Sequence, residues 1–334
     1  MPQWKLYDPS SQPATKRVKL PKAPPWRQPG PQRLAEIAST FKATDEVVSA
    51  VNAALHLRRP LLITGNPGTG KTSLIFSVAR QLGLGRVFTW SINSRSTLGD
   101  GLYRYDALGR LQHIQQQHHS ALLKPALAGT RGTSASRSTA GSAEHDIGMF
   151  ISLGPLGSAV AALDAPRALL IDEIDKSDVD LPNDLLSVLD TGSFPIVELQ
   201  RMAQQAPKVN VRDSLGEKVT ITEGTVSFTE YPFIVMTSNG ERDFPAPFLR
   251  RCVQCSMPDP SESQLLTIIR AHLPNLKNEK KIKDLLAVFL ERREQGALAT
   301  DQLLNAQFLQ ALRGTLPEAD QAQVLDVLFR NLNG

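Results

Sequence analysis

The run Gly65-Asn-Pro-Gly-Thr-Gly-Lys-Thr72 constrains this chain more than any other feature. It meets every fixed position of G-x-x-x-x-G-K-[ST]. Leu61-Leu-Ile-Thr64 before it reads as a short buried strand. Thr72 to Leu82 after it repeats apolar residues at helical spacing (Leu74, Ile75, Val78, Ala79, Leu82). A strand, a glycine loop and a helix in that order are the parts of a phosphate-binding unit. The glycines let backbone N–H groups converge on an anion without side-chain collision, and the helix directs its positive end at the same point. Gly65, Asn66, Pro67, Gly68, Thr69, Gly70, Lys71, Thr72 and Ser73 are the expected nucleotide contacts. Lys71 can reach the β- and γ-phosphates, and Thr72 can offer its hydroxyl to Mg2+.

Further strand candidates are Arg86-Val-Phe-Thr-Trp90, Ala168-Leu-Leu-Ile171 and Phe233-Ile-Val-Met236, with helical patterns between them. Strands alternating with helices predict an α/β core, a parallel sheet covered on both faces. Leu169-Leu-Ile-Asp-Glu173 places two carboxylates at the C-terminal end of an apolar strand, where ligands of open α/β sheets collect. There Asp172 would hold Mg2+ through water, and Glu173 would polarise the attacking water. A lone Asp-Glu pair is ordinarily a solvated strand end, but a phosphate loop upstream weakens that alternative. Asn239 closes the strand that begins at Phe233 and can orient the water. Phe248-Leu-Arg-Arg251 offers guanidinium forks that suit a transferring phosphoryl group.

These four elements stand in the order of an AAA+ ATPase, which the chain resembles over roughly residues 34–334. Arg167-Ala-Leu-Leu-Ile-Asp-Glu-Ile-Asp-Lys176, Gly154-Pro-Leu-Gly157 and Thr237-Ser-Asn-Gly-Glu-Arg242, with Leu249-Arg-Arg-Cys252, resemble the MoxR-like branch. The resemblance implies a P-loop core with a C-terminal helical lid, Mg2+-dependent ATP hydrolysis and a hexameric ring. It gives Asn239 the sensor 1 role. It makes Arg251, with Arg250 next in line, the arginine finger acting on a neighbouring subunit's nucleotide. The stretches from Trp90 to Tyr105 and from Pro24 to Arg27 resemble a subgroup found beside von Willebrand A-type partners. That implies a chaperone-like action on a protein client. A nucleic-acid motor of the McrB-like type, using ATP or GTP, is the alternative. The third lid helix begins Ala299-Thr-Asp-Gln-Leu303, without the arginine that many relatives place there, and Arg313 stands at its far end.

The expected organisation is a Pro-rich basic strap over 1–33, an α/β core over 34–258 and a helical lid over 259–334. The lid carries helices near 261–273, 279–293, 301–313 and 318–332. A flexible insertion is expected at about 112–147 and a hairpin insertion at about 200–228. Gln115-Gln-Gln-His-His119 reads as a solvated loop, and residues 129–143 contain only Gly, Thr, Ser, Ala and Arg.

Charge is distributed unevenly. Residues 1–33 hold seven basic side chains against Asp8 alone, a net +6, while the remaining 301 residues hold 30 basic and 32 acidic ones. The body therefore offers no broad cationic surface, and nucleic acid is disfavoured as a partner. The leader, with Trp4 and Trp26, is expected to lie as a strap across the next domain. Cys252-Val-Gln-Cys255 reads as two buried residues rather than a zinc or redox pair. The two cysteines build no disulfide framework, no apolar run approaches membrane-spanning length, and the N-terminus lacks the apolar core of a signal peptide. A cytoplasmic protein without a membrane span is expected.

Overall fold

The computed structural model describes residues 7, 19–28, 31–123, 145–161, 165–276, 278–296, 298–311 and 318–330. The low-complexity segment 129–143 of the expected insertion, Trp4, most of the basic leader and Arg313 lie outside them. The strands are β1 (Leu61–Thr64), β2 (Phe88–Ser91), β3 (Tyr103–Tyr105), β4 (Ile151–Leu153), β5 (Ala168–Asp172), β6 (Ser193–Pro195), β7 (Lys208–Arg212), β8 (Lys218–Thr222), β9 (Thr225–Ser227), β10 (Phe233–Ser238) and β11 (Val253–Ser256). They form a five-stranded sheet of order β11-β1-β10-β5-β2 and a six-stranded sheet of order β3-β4-β7-β8-β9-β6. The chain divides into two compact units. One comprises Met1–Val48, Ile63–Gln81 and Cys255–Gly334, and the other Ser49–Leu62 and Leu82–Gln254.

In the second unit β5 pairs in parallel with β10 (Leu170 opposite Val235) and with β2 (Leu170 opposite Thr89). β10 is buried along its whole length and β5 along all but its last residue, whereas β2 alternates buried and exposed positions. Central parallel strands are covered on both faces and so read as unbroken apolar runs. The core they organise takes in Trp90, Leu169, Ile171, Leu185, Ile234, Met236 and Phe248.

The hairpin reading holds for residues 208–227, where Val209 opposes Ile221 and Val211 opposes Val219, all four buried. Just ahead of the expected segment, Val197–Gln200 is a short helix. These strands do not stand alone. β7 joins β4 in parallel and β9 joins β6 antiparallel, so the hairpins complete a sheet that also takes in the distant β3 and β4 and the nearby β6.

Both described ends of the expected flexible insertion at 112–147 are helical. Ala107–Leu123 is one helix that runs through Gln115-Gln-Gln-His-His119, and His145–Phe150 is a 3-10 helix with Ile147 buried. Asp106 starts the long helix by accepting the Gly109 N–H at 2.8 Å. Its Leu108 and Leu111 stay exposed. None of its side chains over residues 107–119 is buried. Capping and the helix propensity of Gln and Ala sustain it instead.

In the first unit the C-terminal helices are Glu262–His272, Glu279–Gln295, Thr300–Ala311 and Glu318–Leu328, as the apolar periodicity predicts. They close on Leu265, Ile269, Leu286, Phe289, Leu303 and Phe329. Trp26 packs against this cluster. Its Nε1–H donates to Asn305 Oδ1 at 3.0 Å, and its ring stands edge-on to His272 and Phe308, each 5.8 Å away. Helices Glu262–His272 and Thr300–Ala311 supply the aromatic and amide partners that a tryptophan with one N–H requires.

His272 should make this cluster acid-sensitive. Burial holds the imidazole below its ordinary value of 6.5, so the unfolded chain binds the proton more readily. Its stabilising share is complete above about 6.5 and falls as pH drops, because ∂ΔG/∂pH is positive where the unfolded state carries more protons. Urea midpoints measured between pH 7 and pH 5 should fall, and His272→Leu should flatten that slope.

Candidate functional site

The phosphate loop belongs to the first unit. β1 ends at Thr64, Gly65 follows, and the helix Lys71–Leu82 opens on Lys71, Thr72 and Ser73. Within the loop Thr69 Oγ1 donates to the Asn66 carbonyl at 2.9 Å, and Ser73 N–H donates to Gly70 O at 2.9 Å. Asn66 Nδ2 donates to Asp259 Oδ2 at 3.0 Å. Lys71 is 7% exposed and folds back on its own loop, donating from Nζ to Gly65 O at 2.7 Å and Asn66 O at 2.9 Å. A buried ammonium must be satisfied; here the two carbonyls accept from it, and phosphoryl oxygens could take their place.

Gly68 has φ +81°, and a Cβ there would stand 2.6 Å from the Ala299 Cβ and 3.0 Å from the Thr300 N. The loop thus admits only glycine at this position, for backbone conformation and for space. Ala299 and Thr300 are the residues that close over it. The glycine cradle, the inward lysine and the helix start fit a bound polyphosphate, with the Thr72 hydroxyl suited to Mg2+.

The carboxylates, Asn239 and the arginines belong to the second unit. β5 delivers Asp172 as its last residue, and Glu173 follows in the left-handed region (φ 59°, ψ 50°). A non-glycine residue there carries about 1–3 kcal/mol of backbone strain. Thr237 holds this turn. Its hydroxyl donates to Asp172 Oδ1 at 2.6 Å and accepts the Glu173 N–H at 2.9 Å. Thr237 is 1% exposed, a lone hydroxyl with both hydrogen-bonding directions used.

A second bridge lies beyond it. Asp175 Oδ2 accepts the N–H of Asn239 at 2.8 Å and of Glu241 at 3.2 Å. A third is Arg242, which donates to Ser177 O at 2.8 Å, to Ser177 Oγ at 3.3 Å and to Asp178 O at 3.0 Å. The loops leaving β5 and β10 are therefore tied together three times. The Glu173 carboxylate is drawn along its own turn by Lys176, with Nζ to Oε2 at 2.8 Å, and this hydrogen bond raises the lysine above its ordinary value.

Asp172, Glu173 and Asn239 are thus brought together. The arginines are not joined to them. Arg251 Nε meets Asp190 Oδ2 at 3.0 Å, with side chains 43% and 55% exposed, on the helix Leu181–Thr191. The Arg250 side chain is exposed beside it, and its carbonyl accepts from Arg59 at 3.3 Å. A guanidinium facing outward can act on a group held by another molecule.

Reasoning from sequence did not assign Thr237, Asp175, Lys176 or Arg242. The signal for Thr237 was legible, a buried hydroxyl that follows the apolar run Phe233–Met236 two residues before Asn239. The two cysteines are free and buried, and burial pushes the Cys252 thiol up to about 12, away from the reactive thiolate form.

The family model for the AAA domain of the dynein-related subfamily matches residues 60–252. That span runs from the start of β1 through the carboxylates and Asn239 to the arginines. No curated protein matches the chain. Among solved structures, the replication initiator DnaA bound to AMPPCP and single-stranded DNA is similar with a TM-score of 0.38 at 13% identity. The match covers 83% of this chain and 65% of that one, so the chain spans less than two thirds of its length.

Proposed function

The chain belongs to the AAA domain family of the dynein-related subfamily, and from that premise we propose that it hydrolyses ATP as a ring-shaped oligomer to remodel or assemble a protein partner. The observation that carries the reading is the Thr237 bridge. It keeps Asp172 and Glu173 together in a strained turn that a structural loop would not need. Lys71 leaves its loop carbonyls for the β- and γ-phosphates, and the glycine loop cradles them. Thr72 and Asp172 would hold Mg2+, which when bound draws charge off the phosphoryl oxygens. Glu173 accepts the proton of the attacking water, which the Asn239 amide orients. Arg251, or Arg250 beside it, serves the nucleotide of the neighbouring subunit. The motifs around Asp172 and Asn239 favour a place in the MoxR-like branch, a hexamer and a client with a von Willebrand A-type domain. Among the described residues no helix is long and apolar enough to cross a membrane, and a cytoplasmic location is part of the same proposal.

One observation favours the nucleic-acid reading. Arg104, Ser152, Arg212 and Lys218 stand in a single exposed row across β3, β4, β7 and β8. Arg104 is the member already paired, with Asp100 at 3.1 Å. One assay separates the readings. The purified chain should release phosphate from ATP in Mg2+ and stop on chelation, and absence of release from ATP and GTP alike would overturn both. Stimulation by single-stranded DNA that fades with added salt would select the nucleic-acid motor.

A further inference from the structure

We infer that Asp175 is a positioning residue that sets the place of Asn239 relative to Glu173, an inference that rests on the ATPase reading above. The parallel register of β5 and β10 ends at Ile171 opposite Met236. Beyond that point side chains, not a backbone ladder, decide where the two loops lie. Asp175 is 5% exposed and is held in the 3-10 turn Ile174–Lys176. Its Oδ2 gathers the N–H groups of Asn239 and Glu241, which converge because Gly240 between them has φ +79°. Two converging backbone donors form an anion nest, and here the chain's own carboxylate fills it.

The other oxygen, Oδ1, is buried without a hydrogen-bond partner. A half-satisfied buried carboxylate is a poor way to stabilise a fold, and its retention points to a positional duty. The next residue, Lys176, holds the Glu173 carboxylate at 2.8 Å. One three-residue turn therefore grips the loop that carries Asn239 with one side chain and the water-activating carboxylate with the next. Asp175 touches no reacting atom in this account and acts through Asn239.

The test uses the full chain with Asp175→Asn, which keeps shape and one acceptor oxygen. Phosphate release should slow by about 10²-fold through misplacement of the amide, with KM for ATP changed by less than about twofold. Asn239→Ala should slow release comparably, and the double variant should be no slower than Asn239→Ala alone. Additive losses, or an unchanged kcat in Asp175→Asn, would overturn the inference. Hydrogen exchange over residues 236–242 gives a readout that needs no turnover. Asp175→Asn should speed exchange of the Asn239 and Glu241 amides while the global unfolding midpoint stays in place. Unchanged exchange there overturns the inference. A wild-type protein that releases no phosphate overturns the ATPase reading and leaves the exchange result to decide the role of Asp175.

Discussion

Glu173→Gln should bind ATP as the wild type does and hydrolyse it about 10²- to 10⁴-fold more slowly, the usual contribution of a positioned general base. That range corresponds to roughly 3–5 kcal/mol of barrier. The amide is isosteric with the carboxylate but carries no charge to attract the proton of the attacking water. The fold should not notice the change. The only ion pair lost among the described contacts is with Lys176, both partners being about 40% exposed, and such surface pairs contribute at most about 1 kcal/mol. The Glu173 N–H, which Thr237 accepts, is kept by glutamine. Binding of a fluorescent ATP analogue with single-turnover phosphate release checks both halves of the expectation. Normal turnover would remove Glu173 from the mechanism.

Arg251→Ala should abolish hydrolysis by about 10³-fold or more, as removal of an arginine finger does, and leave nucleotide binding intact. Its partner Asp190 lies on the surface, so folding should be unaffected by the loss of that pair. The decisive form of the experiment mixes two inactive proteins. Arg251→Ala subunits retain Glu173, and Glu173→Gln subunits retain Arg251, so mixed rings should recover turnover that neither protein shows alone. Recovery requires that the arginine and the carboxylate work across a subunit boundary. If Arg250→Ala proves inactive and Arg251→Ala active, the finger is Arg250. If mixing restores nothing, action in trans is refuted.

Much of this site was legible residue by residue. The phosphate loop, Asp172, Glu173 and Asn239 each occupy a strand end or helix start, and those positions follow from apolar periodicity and the glycine pattern. The four C-terminal helices were legible for the same reason. The helix Ala107–Leu123 was not, because Leu108 and Leu111 remain exposed and none of its side chains over residues 107–119 is buried. The bridges were not legible either. Thr237 and Asp175 reach partners some 65 residues away, by 65 and 64 positions respectively, and nothing local to either residue states its partner.

The sequence by itself determined what depends on neighbours within a few positions: where the glycine loop bends, which strands are buried on both faces, and which carboxylates stand at a strand's end. Helical and strand periods are set by contacts one to four residues apart. Only the tertiary structure decided that β7, β8 and β9 share a sheet with β3, β4 and β6, that Trp26 rests on the C-terminal helices, and that Asp175 holds Asn239. Alternation shows which face of a strand is buried but not what pairs with its edge, and a buried polar side chain takes whichever donor the folded chain brings within about 3 Å.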